Sequence, residues 1–266
     1  MRRPLATTTV REALDSAVIA LTAAGCDTPR LDAEVLLAAA LGVDRAALFA
    51  DPGRALTGEQ ARAFMDYSRR RREREPVAYI LGRKGFRNLD LHVDRRVLIP
   101  RPETEHLVEA ALALPQGARV VDVGTGSGAV ALALKDERPD LQVFATDIGP
   151  LDVARANASR LDLDVTFVEG DLTAGLQVDA VVSNPPYVVA GTPLMPEIAR
   201  YEPPLALYAG ADGLDVIRRL VVLPVPFIAL EHGEGQADAI EALMDGFEVQ
   251  RIRDLAGIER VIVGRR

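Results

Sequence analysis

At 266 residues, 48% hydrophobic and 26% charged, the chain has apolar material for one large domain or a small one beside a medium one, which excludes intrinsic disorder. A net charge of −8 argues against a protein whose affinity comes from neutralising nucleic-acid phosphates. Cys26 is the only cysteine, and His92, His106 and His232 are scattered without ligand spacing, so neither a disulfide nor a metal site is expected.

The opening Met1-Arg2-Arg3-Pro4 runs into Thr7-Thr8-Thr9 and not into an apolar leader. No apolar run approaches the ~18 residues a membrane span needs, so a cytoplasmic location with no membrane contact is expected. Residues 1–75 then read as helical throughout. Thr9 and Glu12 form a capping-box pair ahead of a face made by Val10, Leu14, Val18 and Leu21, with Gly25 as the stop. Pro29 opens a second helix with Leu31, Val35, Leu36 and Ala39 on its apolar face, ending at Gly42. A short helix over 45–49 follows, then a longer one signalled by Thr57 and Gln60 and ended at Pro76. That helix carries the run Arg69-Arg70-Arg71-Arg72-Glu73-Arg74. It reads either as a basic surface for RNA or an acidic partner, or as a solvated face whose cations complement the helix dipole.

Residues 76–100 change character. Gly82 and Gly85 flank short alternating stretches such as Leu89-Asp90-Leu91-His92-Val93, which predicts a hairpin connector belonging to neither core. From residue 101 strands alternate with helices. Strands are predicted over 120–123, 141–146, 165–169, 178–183, 227–231, 247–251 and 259–263, and helices over 129–137 and 150–160. The alternation predicts an α/β domain over 101–266 with a mostly parallel sheet covered on both faces.

The strand at 120–123 runs into Gly124-Thr125-Gly126-Ser127-Gly128-Ala129 and then a helix. Glycines there let backbone N–H groups approach a ligand at a helix N-terminus, in a dinucleotide or a nucleoside site alike. The next strand ends at Asp147, placed to accept both ribose hydroxyls, or alternatively to cap the helix beginning near Pro150. Asp171 and Leu172, after the following strand, offer a carboxylate for an exocyclic amine and a backbone N–H for a ring nitrogen, as adenine requires. Pyrophosphate would favour a cation near the loop, and none precedes Lys135. A cationic adenine nucleoside, S-adenosylmethionine, therefore fits better than a nicotinamide dinucleotide.

The strand at 178–183 delivers Asn184-Pro185-Pro186-Tyr187 to the same sheet edge. Prolines fix φ and restrict the residue before them, so the segment is rigid and extended. Read blandly, it is a proline turn closing a strand. Read chemically, the Asn184 side-chain oxygen and the Pro185 carbonyl accept the two N–H bonds of a planar –NH₂ group, Pro186 stiffens the segment, and Tyr187 clamps the flat group. Asn184, Pro185 and Tyr187 are thus the candidate catalytic residues, and no general base is demanded.

Taken together these motifs resemble the peptide-chain release factor N5-glutamine methyltransferases, the PrmC/HemK family. The resemblance runs through Pro76-Val77-Ala78-Tyr79-Ile80-Leu81-Gly82, Leu98-Ile99-Pro100-Arg101-Pro102-Glu103-Thr104-Glu105, the glycine loop, Asn184-Pro185-Pro186-Tyr187, Tyr201-Glu202-Pro203, Leu230-Glu231-His232-Gly233 and Arg253-Asp254. Asn-Pro-Pro-Tyr alone is shared with DNA adenine and RNA guanine methyltransferases; the Ile-Pro-Arg-Pro-Glu-Thr-Glu segment is far more specific. The resemblance implies a class I, Rossmann-like methyltransferase domain with a seven-stranded sheet, a helical N-terminal substrate-recognition domain and a hairpin linker. It implies methylation of the glutamine in the Gly-Gly-Gln loop of bacterial class 1 release factors. By position, Gly124, Thr125, Gly126, Ser127, Gly128 and Asp147 would bind S-adenosylmethionine, with Asp171 and Leu172 near the adenine and Asn184 beside them. Asn184, Pro185, Pro186 and Tyr187 would hold the glutamine. Two departures stand out. Leu172 replaces a tryptophan of some relatives, and the connection over 221–226 is shorter than usual and has no glycine.

The nearest rival is a DNA adenine-N6 or other nucleic-acid amine methyltransferase, which should carry a basic target-recognition region; the −8 charge and the lack of an insertion between the motifs oppose it. A non-catalytic S-adenosylmethionine-binding scaffold would not need Asn184. No direct nucleic-acid binding is expected.

Overall fold

The computed structural model describes residues 8–266; residues 1–7, where the sequence reading placed the absence of an apolar leader, lie outside the described residues. The chain divides into two units. One runs to Gly82 and takes in Met195–Tyr201; the other comprises Arg83–Leu194 and Glu202–Arg266.

The first unit is helical: α1 (Val10–Ala23), α2 (Pro29–Leu41), α3 (Arg45–Ala50), α4 (Gly58–Arg72) and α5 (Val77–Leu81), with the short α9 (Pro196–Tyr201). Both capping boxes form, Thr9 with Glu12 and Thr57 with Gln60. Val10, Leu14 and Leu21 of α1 bury as their spacing requires, against Leu36 and Leu37 of α2. On α2 the sequence reading chose part of the wrong face. Leu31 and Ala39 are exposed, whereas Asp32, Ala33, Glu34 and Leu37 are buried. Two carboxylates on the inner face mislead an apolar count, and they are tolerated because each meets an arginine: Asp32 meets Arg71, and Glu34 meets Arg45 and Arg30.

Apart from the exposed Arg72, the arginine run is therefore an ion-pair network and not an open basic patch. Arg69 is exposed and pairs with Asp66 and Glu73, and Arg70 forks onto Glu75. Arg71, which a solvated face would leave in water, is buried between Asp32 (2.7 Å) and Glu197 (2.9 Å). Arg74 grips the same Glu197 with two nitrogens, at 2.7 and 2.6 Å.

The second unit opens with the antiparallel hairpin β1 (Arg83–Phe86) and β2 (Leu89–His92). The hairpin is real, but it is no free connector: Phe86, Leu89 and Leu91 are buried in the same core as Leu107, Val120 and Leu132. Three apolar side chains in so short a segment need a core, and the pairing of the strands presents them to one. After the 3₁₀ turn Pro102–Thr104 and α6 (Glu105–Ala111) come β3 (Arg119–Val123), α7 (Ala129–Glu137), β4 (Gln142–Asp147), α8 (Asp152–Leu161), β5 (Thr166–Glu169) and β6 (Ala180–Ser183). Then follow α10 (Asp215–Leu220), β7 (Phe227–Glu231), α11 (Ala237–Glu241), β8 (Glu248–Arg253) and β9 (Glu259–Arg265).

The seven strands lie in the order β5-β4-β3-β6-β7-β9-β8, with β9 antiparallel to both its neighbours and the other pairs parallel. Every residue of β6 and β7 is buried, as a strand covered on both faces demands. The strand order reverses between β3 and β6. Open α/β sheets place ligands at the carboxyl ends of the strands beside such a reversal. The glycine-free connection before β7 closes by burial of Leu220, Val221 and Val225, so the shortened segment is anchored by side chains and needs no glycine turn. Among the described residues no helix is long and apolar enough to cross a membrane.

Candidate active site

The carboxyl ends of β3, β4, β6 and β7 bring four motifs to one edge. At the end of β3, Gly124 and Thr125 donate their N–H groups to the Thr146 carbonyl at 2.8 and 3.1 Å, and Gly126 donates to Asp147 Oδ2 at 2.9 Å. The loop is thus pinned to β4 by three bonds. Gly128 caps α7 at φ +84, a left-handed conformation that favours glycine, and a Cβ there would press on Leu132 at 3.0 Å and Ala154 at 3.3 Å. Gly124 and Gly126 differ: a Cβ on either meets nothing within 4 Å. The space over these two glycines is open, as a nucleoside approaching the backbone requires.

Sequence reasoning gave no role to two residues that build this loop. Asp122, inside β3 and buried, accepts from the Thr125 hydroxyl at 2.6 Å and from the Ala131 N–H at 3.2 Å, tying the loop to α7. Burial pushes its carboxyl up to about 7, against the pull of those two donors. Asn157 of α8, fully buried, donates to the carbonyls of Ser127 and His92, both at 2.9 Å, and accepts from the His92 N–H at 2.8 Å. A charged residue within an apolar strand and an amide on the inner face of a helix are the signals that could have found them.

Asp147 ends β4 with both oxygens engaged, Oδ2 by Gly126 and Oδ1 by the Gly149 N–H at 2.7 Å. It does not cap α8, whose N-cap is Leu151 with no side-chain bond. A carboxylate offers about four acceptor positions, so about two remain for hydroxyls. Beyond β5, the Leu172 carbonyl accepts from the Thr146 hydroxyl at 2.5 Å, placing this turn against the end of β4. The Leu172 side chain packs on the core beneath the sheet, and the Asp171 carboxylate is paired with Arg219 of α10. The turn is therefore beside the loop, while the Asp171 carboxylate is shared with a cation.

At the end of β6, the Ser183 hydroxyl donates to the Val123 carbonyl at 2.7 Å, which locks the Asn-Pro-Pro-Tyr segment to the start of the glycine loop. Asn184 Nδ2 donates to the Thr104 hydroxyl at 3.1 Å. Among the described residues nothing donates to Asn184 Oδ1 or to the Pro185 carbonyl. Pro185 is buried and Pro186 half-buried. Beyond them, Val188 exchanges backbone bonds with Leu207 and Ala209, at 2.8 and 3.0 Å. The Tyr187 carbonyl accepts from Gln236 Nε2 at 3.1 Å, and Gly213 approaches it so closely that a Cβ there would overlap it. The Tyr187 hydroxyl donates to Glu231 Oε1 at 3.3 Å, and burial raises its pKa well above the ordinary phenol, so it keeps its proton.

Glu231 ends β7 and His232 follows it; both stood in a motif of the resemblance but were given no role. Glu231 is 1% exposed, and burial pushes its carboxyl up to about 7 although the Thr104 and Tyr187 hydroxyls draw it back. His232 is fully buried; its Nδ1 bonds the Gly233 carbonyl at 2.9 Å, and burial lowers its pKa. Glu231 Oε2 and His232 Nε2 have no partner among the described residues. The segment that supplies Thr104 is itself anchored by Glu202, whose carboxylate takes the Ile99 N–H at 3.3 Å and Arg101 Nη2 at 2.5 Å. The Ile-Pro-Arg-Pro-Glu-Thr-Glu and Tyr-Glu-Pro motifs are thus two halves of one contact.

Residues 12–82 match the PrmC N-terminal domain, and residues 103–199 match the methyltransferase small domain. The chain is 42% identical over 276 residues to a release factor glutamine methyltransferase of Koribacter versatilis, covering 97% of this chain and 99% of that protein. It is 41% identical over 280 residues to the protein of the same name from Caulobacter vibrioides, covering 97% and 96%. A methyltransferase from Pyrococcus furiosus shares the fold with a TM-score of 0.50 at 18% identity, over 66% of this chain and 88% of that one.

Proposed function

Because the chain belongs to the release factor glutamine methyltransferase family, we propose that it transfers a methyl group to the side-chain amide nitrogen (N5) of the glutamine in the Gly-Gly-Gln loop of bacterial class 1 release factors. S-adenosylmethionine supplies an electrophilic methyl group when bound. The open space over Gly124 and Gly126, the pinned glycine loop and the spare acceptor positions of Asp147 suit its backbone-facing ribose and amino-acid portions. The Leu172 turn would receive the adenine, with no aromatic ring there to stack on it.

The substrate amide nitrogen gains a bond to the methyl carbon as the methyl–sulfur bond breaks, S-adenosylhomocysteine is the leaving group, and one amide proton is released to solvent. A carboxamide nitrogen is a poor nucleophile because its lone pair is delocalised into the carbonyl. Asn184 Oδ1 and the Pro185 carbonyl each take one of its N–H bonds, which orients the lone pair, and prolines 185 and 186 keep the two acceptors from relaxing. Such preorganised acceptors do not reorient during reaction, which makes them more effective than water. Tyr187, fixed at its hydroxyl and its carbonyl, forms a wall for the flat group. The observation that carries the reading is the pair of undonated acceptors, Asn184 Oδ1 and the Pro185 carbonyl, beside a cofactor-competent glycine loop.

No membrane contact and no direct nucleic-acid contact belong to this function, which is carried out in the cytoplasm with the release factor as protein partner. The arginines at 69, 70, 71 and 74 are neutralised by carboxylates, which leaves little for a phosphate backbone there. The helical unit serves substrate recognition, since the chemical motifs of the site all lie in the other unit. Formation of S-adenosylhomocysteine tests the reading. It should require a release factor with an intact Gly-Gly-Gln loop. Equal formation with adenine-containing duplex DNA, or none with any release factor, contradicts it.

A further inference from the structure

The loop after β7 turns back on the Asn-Pro-Pro-Tyr segment, and one side chain joins the two. Gln236, the N-cap residue of α11, reaches three separate loops with its carboxamide. Its Oε1 accepts from the Gly233 N–H at 2.8 Å. Its Nε2 donates to the Tyr187 carbonyl at 3.1 Å and to the Asp212 carbonyl at 3.3 Å. A carboxamide has two N–H donors, and both are spent here. A backbone N–H only donates and a carbonyl only accepts, so a flipped amide would face like with like at all three points.

The glycines around this knot leave it no slack. A Cβ on Gly213 would lie 2.2 Å from the Tyr187 carbonyl oxygen and 2.7 Å from Gln236 Nε2. A Cβ on Gly233 would lie 3.0 Å from Gln236 Oε1 and 3.3 Å from Cδ2 of the Tyr187 ring. The ring therefore rests on a bare glycine, and Gln236 holds that glycine by its N–H. Gln236 thus acts on Tyr187 twice, at its carbonyl directly and at its ring through Gly233. The Tyr187 hydroxyl, on Glu231 Oε1 at 3.3 Å, fixes only the far end of the ring. The backbone bonds of Val188 hold the chain beyond, without touching the ring.

Building on the glutamine-methylation reading above, we propose that Gln236 is a positioning residue for methyl transfer, which holds the Tyr187 ring as the wall against which the substrate amide is aligned. Prolines 185 and 186 stiffen the segment, but stiffness sets a direction only when both ends are anchored. Ser183 anchors the near end on the Val123 carbonyl at 2.7 Å, and Gln236 anchors the end that carries the ring. Gln236 bonds none of Gly124, Gly126, Asp147 or Asn184, so its loss is felt in alignment and not in cofactor binding.

The test is the single-turnover rate constant for methyl transfer at saturating S-adenosylmethionine, over a range of release-factor concentrations. Gln236→Met keeps the length and loses both donors and the acceptor. Gln236→Glu keeps the shape and the acceptor, but its carboxylate cannot donate and faces two carbonyl oxygens. The maximal rate constant should fall roughly tenfold in the first and roughly 10²-fold in the second, as misplacing an aligned group does. The release-factor concentration at half-saturation and the calorimetric affinity for S-adenosylmethionine should stay at wild-type values. A merely structural role would instead lower the amplitude of the turnover, the fraction of protein that reacts, and leave its rate constant alone. Tyr187→Ala removes the wall, so adding Gln236→Met to it should cost no further rate. A wild-type rate constant in either folded variant, a loss carried by cofactor affinity or half-saturation, or losses that multiply in the double variant overturns the inference. Absence of wild-type transfer to any release factor overturns the underlying reading instead, and this one with it.

Discussion

Asp147→Ala isolates the cofactor half of the site. In the protein Asp147 holds Gly126 and Gly149 through one oxygen each, at 2.9 and 2.7 Å, and about two acceptor positions remain for ribose hydroxyls. Hydrogen bonds to a charged acceptor contribute about 1.5–3 kcal/mol each, so two are worth about 3–6 kcal/mol in gross terms. In the variant the hydroxyls regain water, which makes the lower figure the better guide, and about 3 kcal/mol corresponds to roughly 10²-fold in Kd. Loss of the Gly126 anchor adds to this, since the loop is then held to β4 only through the Thr146 carbonyl. Asp147→Asn keeps an acceptor of the same shape without the charge and should fall between, about tenfold weaker. Calorimetric titration with S-adenosylmethionine measures all three proteins, with circular dichroism to confirm the fold. Affinity of the alanine variant within about twofold of wild type, far inside what a charged acceptor contributes, would refute the reasoning and leave Asp147 a loop anchor alone.

Asn184→Ala should cut the single-turnover rate by about 10²–10³, as loss of one preorganised hydrogen-bonding group does, with cofactor affinity by calorimetry unchanged. Arg71→Met removes the cation between two carboxylates and should cost about 3–5 kcal/mol of stability, read as a lower denaturant midpoint; an unchanged midpoint would show that the pairs with Asp32 and Glu197 contribute nothing. Burial holds the pKa of Glu231 in the folded protein at about 7, above the ordinary glutamate value of about 4.5, so the folded state loses stability as pH rises from about 4.5 to about 7, by about 3 kcal/mol in all. Glu231→Gln should remove that slope and be the more stable protein above pH 7, as thermal midpoints at several pH values would report.

The parts of the molecule legible in the sequence are those specified locally. The two capping boxes, Pro29 at a helix start and the runs that became β3, β6 and β7 are each fixed by neighbours a few residues away. The edge that gathers Gly124, Asp147 and Asn184 was legible too, since each closes an apolar strand. What escaped the reading depends on partners distant in the chain. Arg71 looks solvated until Asp32 and Glu197 are brought to it. Phe86, Leu89 and Leu91 look like linker residues until the hairpin pairing presents them to the core of α6 and α7. Thr104 and Glu231 sit in motifs that were visible as motifs, yet their bonds to Asn184 and Tyr187 exist only once three segments far apart in sequence converge. Glu231 did carry a signal. It is an acid at the carboxyl end of a buried strand, as Asp147 is at the end of β4.

The central claim is that this site methylates a protein side-chain amide. Its most direct measurement is tandem mass spectrometry of a purified class 1 release factor after incubation with the protein and S-adenosylmethionine carrying an isotopically labelled methyl group. The account predicts the label on the side-chain nitrogen of the Gly-Gly-Gln glutamine and nowhere else in the substrate. Label on another residue, or an unlabelled release factor with the cofactor consumed, would contradict it.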